Sequence, residues 1–159
     1  MRTFIVLALF GVTLFSLVWA TIDNSASDEQ STLSDCTRVE ESFPKGHLNY
    51  LKQHGWHIAS KCRTSTEVID YYPESIETLQ SGGLNLKPYN KKGTEAKITT
   101  YILKEEQQNG DNLTATIYEI KGEIIGGYGT LKNWSPGIFS LDDKGRLLEQ
   151  DKILRPHQP

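Results

Sequence analysis

Three histidines, His47, His54 and His57, fall within one short stretch. Imidazole is the side chain that exchanges protons or binds a metal near neutral pH. Cys62 follows five positions after His57, so His54, His57 and Cys62 make a partial ligand set. Their spacing follows no standard zinc pattern. One reading is a metal-binding or proton-sensing site centred on His54 and His57. The other places His54 against the negative end of a helix and leaves His57 on the solvent side of a strand. The second is the expectation, with no metal and no other cofactor.

Gly126-Gly127-Tyr128-Gly129 has the composition of a phosphate cradle. A cradle must open a helix whose N-terminal N–H groups point at the anion, and 130–136 carries no helical period. Glycines inside a strand mark a bulge or a close backbone approach instead, and a ligand lying over them remains open. Glu105-Glu106 and Asp142-Asp143 are paired carboxylates in turn-like settings, where solvated acids outnumber general acids and bases. No Gly-x-Ser-x-Gly elbow occurs. Asn112-Leu113-Thr114 and Asn133-Trp134-Ser135 fit the N-glycosylation pattern, the second with Pro136 against it. Trp134, Tyr128 and Phe139 form either an aromatic edge for a partner or part of the core.

These residues need elements to hold them. Pro44 suits the start of a helix. Leu48 and Leu51, three apart, share a face of it, and Gly55 ends it. Trp56 and Ile58 then alternate with His57 as a half-buried strand, making a helix-to-strand corner with the tryptophan at its pivot. Ile58 to Cys62 and Glu67 to Ile69 read as one interrupted strand or two short ones. Pro73 to Gly82 is a second helix with Ile76 and Leu79 inward. From Ala96 the period becomes two, through Leu103 and again from Leu113 to Ile120. Lys121-Gly122 is a tight turn into a strand running through the glycines towards Leu131, and 138–141 is a last short strand. The class is therefore α+β, two short helices packed on one face of an antiparallel sheet of four to five strands. The globular domain is 37–142, and 143–159 is an arm or tail around Asp143-Lys144-Gly145.

The chain has 159 residues. Phe4 to Ala20 is almost wholly apolar behind Arg2, and Val18-Trp19-Ala20 suits a signal-peptidase site before Thr21. Residues 1–20 are thus a signal peptide or an N-terminal membrane anchor; a largely apolar run of 17 residues reaches the lower limit of about 17–25 for a spanning helix. Residues 21–36 are a polar, acidic spacer without Lys or Arg. The formal net charge is −3, and losing Arg2 makes the remainder more acidic. This argues against nucleic acid or anionic lipid as partner. Outside the cytoplasm the only two cysteines, Cys36 and Cys62, most simply form one disulfide, worth roughly 3–4 kcal/mol for a loop of this length.

Leu48-Asn49-Tyr50-Leu51-Lys52-Gln53-His54-Gly55-Trp56-His57-Ile58 resembles the start of a bacterial domain of unknown function, found in exported or membrane-anchored Firmicute proteins. Leu84 to Tyr89 with Gly93, the strand around Tyr101, and Ile124-Ile125-Gly126-Gly127 are similar to its later landmarks, in order. Together they cover roughly 45 to 131. Pro88 and the cysteine pair depart from that pattern. The resemblance implies compartment and architecture and transfers no catalytic residue.

The resulting expectation is an exported small domain, secreted or held at the outer face of the cytoplasmic membrane, non-enzymatic, binding an envelope or extracellular protein or a small ligand. The expected binding surface is Trp56, Gly126, Gly127 and Tyr128. The alternatives are an envelope enzyme or metal-binding module using His54 and His57, and a secreted inhibitor or effector.

Overall fold

Nine residues, Lys45–Gln53, form α1, and the helix stops where Gly55 turns left-handed at φ 81°. The Trp56 N–H bonds the Leu51 carbonyl at 2.9 Å and the Gly55 N–H bonds the Lys52 carbonyl at 2.9 Å. This double bond pattern satisfies the terminal carbonyls and swings the chain straight into β1, Ile58–Val68. The computed structural model describes residues 42–154. The expected signal or anchor (1–20), the spacer (21–36) and Cys36 lie outside them.

The same device ends α2, Pro73–Ser81, one residue later than the sequence suggests. Gly83, not Gly82, is left-handed (φ 91°), and the Leu84 N–H reaches the Leu79 carbonyl at 3.0 Å. Then come β2 (Glu95–Glu106), β3 (Asn112–Ile120), β4 (Glu123–Thr130) and β5 (Ile138–Phe139). The sheet is antiparallel with spatial order β1-β2-β3-β4-β5. Lys121 and Gly122, both at positive φ, make the β3–β4 turn. The fold is α+β. β1 is a single strand of 11 residues with two register shifts against β2, rather than two short strands.

The helices do not share one face. Alternate residues of β2 and β3 feed two separate cores: Tyr101, Leu103, Leu113, Ala115 and Ile117 in one, Ala96, Ile98, Tyr118 and Ile120 in the other. Successive side chains of a strand point to opposite faces, so the sheet divides the cores. α1 supplies Leu51 to the first, and α2 supplies Ile76 to the second. In α1 the inward pair is His47 and Leu51, four apart, while Leu48 is exposed. The periodicity pairs Leu48 with Leu51 because imidazole does not read as a core residue; here His47 Nδ1 shares a hydrogen bond with the Tyr101 hydroxyl, and Nε2 lies 3.1 Å from Glu119 on the sheet.

The C-terminal arm is corrected too. A single 3₁₀ turn, Leu141–Asp143, leads into a third helix, α3, Lys144–Glu149. Leu147 and Ile153 are wholly buried in the first core. The domain therefore runs through 154, beyond the expected boundary at 142. The chain after α3 also pairs with the end of β2: the Leu154 N–H donates to the Glu106 carbonyl at 2.8 Å. Among the described residues no helix is long and apolar enough to cross a membrane.

Candidate functional site

Each of His47, His54 and His57 faces a different carboxylate. His47 is 2 % exposed; its Nδ1 shares a 2.6 Å hydrogen bond with the Tyr101 hydroxyl, and its Nε2 stands 3.1 Å from Glu119 Oε2. If the hydroxyl donates to Nδ1, the ring proton sits on Nε2, towards the carboxylate. That last contact is close in distance, yet neither atom completes a directed hydrogen bond. Lys97 Nζ approaches the same Glu119 oxygen at 3.2 Å. The Tyr–His–Glu chain looks like a nucleophile relay, but Tyr101 is fully buried. Burial, with Glu119 nearby, pushes its hydroxyl up to about 12. Such a phenol is sealed and harder to ionise, the reverse of an activated nucleophile.

His54 Nδ1 pairs with Asp142 Oδ1 at 2.7 Å. His57 belongs to a tighter group. Its Nδ1 donates to Glu105 Oε1 at 2.9 Å and its backbone N–H to Oε2 at 3.3 Å. Lys144 Nζ donates to Oε1 at 2.6 Å and also to the Gly55 carbonyl. Glu105, which sequence placed in a turn, is on β2 and only 7 % exposed. Burial works to raise its carboxyl, but the bonds from Lys144 and His57 outweigh this and hold it below the ordinary glutamate range. Thus His54 and His57 tie the α1–β1 corner to Asp142, just ahead of α3, and to β2. Among the described residues no group of three or more His, Cys, Asp and Glu is placed to hold a metal ion.

Trp56, Gly126, Gly127 and Tyr128 do not make one surface. Trp56 is 1 % exposed in the first core, and its Nε1–H donates to the Leu141 carbonyl at 2.8 Å. Tyr128 packs against the second core, on the other side of the sheet, with its ring 6.4 Å from that of Tyr118. The glycines serve packing. A Cβ on Gly127 would stand 2.6 Å from the Thr116 carbonyl, and one on Gly129 would stand 2.0 Å from the Phe139 ring. Phe139 is likewise core, whereas Trp134, of the three aromatics read as an edge, borders a hollow.

That hollow, about 200 Å³ and open to solvent, lies where three connections meet: the β2–β3 turn, the β4–β5 loop and the segment after α3. The loop is anchored at both ends. The Leu131 N–H donates to the Gly137 carbonyl at 2.9 Å. The Gln107 amide, oriented to satisfy both partners, donates to the Lys132 carbonyl (3.0 Å) and accepts from the Lys132 N–H (3.2 Å). Trp134 packs partly against the first core. Arg146 and Lys152 lie over its ring at 5.6 and 5.9 Å from the centroid, within cation–π range. Arg146 is itself held by Asp143 at 2.6 Å. The side-chain polar atoms of Lys132, Asn133, Asp151 and Lys152 make no hydrogen bond or ion pair among the described residues. Sequence could flag Trp134 but not its setting, which depends on 151–152 folding back beside β2.

Cys62 lies half-buried on β1, while its expected partner Cys36 is outside the described residues. The chain matches no protein-family model, no curated protein and no solved structure.

Proposed function

We propose that this is an exported binding module, carried on its acidic spacer to the outer face of the cytoplasmic membrane or beyond, and that it binds through the hollow at Trp134. Export rests on the apolar segment 4–20 and on the resemblance to exported Firmicute domains; a Cys36–Cys62 disulfide belongs to the same proposal. The observation that carries the binding site is Trp134 itself. A half-buried indole, on a loop pinned by Gln107 and flanked by polar side chains that make no hydrogen bond or ion pair among the described residues, is built to meet a ligand rather than to fill a core.

The test is co-sedimentation of the full exported protein with washed envelopes of the producing cells. Trp134→Ala should lose about nine-tenths of the bound fraction, a tenfold effect matching the cost of removing one anchoring aromatic, with its circular dichroism unchanged. Undiminished binding by that variant would remove the site.

The enzymatic alternative has one observation behind it, the buried Glu105 between Lys144 and the exposed His57. A His54→Ala/His57→Ala variant that keeps its fold but loses a hydrolytic activity or metal uptake would favour it.

A further inference from the structure

From the groups that line the hollow we infer the class of ligand: an acidic sugar residue, its ring against Trp134 and its carboxylate between Lys132 and Lys152. The inference rests on the proposal that the hollow is the binding site.

The reasoning starts from which groups are already committed. Asn109 is used up by Asp111, its Nδ2 donating to Oδ2 at 2.9 Å and its Oδ1 accepting from the Asp111 N–H at 3.0 Å. Gln107 is used up by Lys132, and Gln108 Nε2 donates to the Ile153 carbonyl at 3.3 Å. What remains around the opening are two ammonium groups, the Asn133 amide and one carboxylate, Asp151. Two ammonium groups without an ion-pair partner among the described residues, against one carboxylate, favour a ligand carrying negative charge. Lys152 already rests over the indole, so an anion drawn to it arrives beside the ring.

The rest of the lining favours a sugar over an aliphatic or peptide acid. An amide offers a donor and an acceptor side by side, and a carboxylate accepts from two hydroxyls; both suit neighbouring hydroxyl groups on a ring. Where it borders the hollow, the Trp134 indole offers apolar surface against which the C–H side of such a ring can lie. About 200 Å³ is below the range of pockets that enclose a drug-sized molecule, so it suits one ring, and the open side lets a chain continue in both directions.

Calorimetric titration of the full exported protein separates the outcomes. The probes are a galacturonic acid tetramer, a galactose tetramer, and a glutamate tetrapeptide of equal charge. The acidic tetramer should bind about tenfold tighter than either of the others, one such factor being about the worth of a charge-assisted contact. Lys132→Gln/Lys152→Gln, which alters only exposed side chains, should abolish that preference, and Trp134→Ala should weaken all sugar binding about tenfold. Equal affinity for the galactose tetramer would overturn the acidic part, and equal affinity for the peptide would overturn the sugar. If no sugar binds while envelope binding still depends on Trp134, the ligand class is wrong and the site stands. If the acidic tetramer binds equally well without Trp134, both fall.

Discussion

Lys144 Nζ stands 4.7 Å from the centre of the Trp56 ring, although 88 residues separate the two in the chain. The same ammonium bonds Glu105 Oε1 and the Gly55 carbonyl. One side chain therefore joins the start of α3 to the α1–β1 corner and to β2. Removing it leaves the Glu105 carboxylate buried with His57 as its remaining hydrogen-bond donor among the described residues. Breaking a buried pair from one side typically costs 3–5 kcal/mol; with His57 still in place, Lys144→Met should cost about 3 kcal/mol. Urea unfolding would show it as a lower midpoint at unchanged slope. A loss under 1 kcal/mol would mean the lysine is dispensable to the corner.

Glu105 also sets an acid limit. Its folded carboxyl titrates below the ordinary glutamate range, so the native state binds that proton less readily than the unfolded chain does. Its contribution is complete above the ordinary glutamate value near 4.3. It is lost as pH falls from there through the lower, folded value. Glu105→Gln should be less stable at neutral pH and should flatten the pH dependence of stability in that acid window. An unchanged slope there would refute the assignment.

Tyr101 sets the opposite limit. Its hydroxyl is raised to about 12, so the folded state holds the proton more tightly. This contribution is complete below the ordinary tyrosine value near 10. It disappears as pH rises from there to about 12. Tyr101→Phe should lessen the alkaline loss, to which Tyr118 and Tyr128, raised by their own burial, also contribute; thermal unfolding between pH 9 and 12, values spanning about 10, would read the difference.

The same hydroxyl couples to His47. His47→Leu alone leaves a buried phenol unpaired and should cost about 2 kcal/mol, within the 1–3 typical of an unsatisfied buried group. His47→Leu with Tyr101→Phe should recover at least half of that, since both partners of the bond are then apolar. Simple additivity of the two single changes in a double-mutant cycle would sink the coupling.

Gly129 tests the packing account of the β4 glycines. A methyl there meets the Phe139 ring. Gly129→Ala should therefore destabilise by about 2–3 kcal/mol, the upper part of the overpacking range. Adding Phe139→Leu should restore part of it. If Gly129→Ala is neutral, the glycine is there for another reason.

The parts of the fold legible in the sequence are those governed by local chemistry. Gly55 at the end of α1, Lys121-Gly122 between β3 and β4, and the alternation in β2 and β3 each follow from neighbours in the chain. What stayed hidden was set across the sheet. Glu105 reads as a solvated turn acid until β2 carries it under Lys144. His47 reads as a surface histidine until Tyr101 and Glu119, from β2 and β3, close over it. Trp56 was legible as a pivot but not as buried, because its cover, Leu141 and Phe139, comes from the far end of the chain. The hollow at Trp134 was illegible for the same reason: no local pattern announces that 151–152 returns to it.

The placement of Leu147 and Ile153 in the first core bears on the order in which the molecule is made. Synthesis proceeds from the N-terminus, so Trp56, Tyr101 and Leu113 all emerge before the two residues that finish enclosing them. A nascent chain cannot complete that half of the domain until Leu147 and Ile153 have been added. Until those two residues are in place the chain lacks one of its two cores, so closure of the first core is the later of the two events.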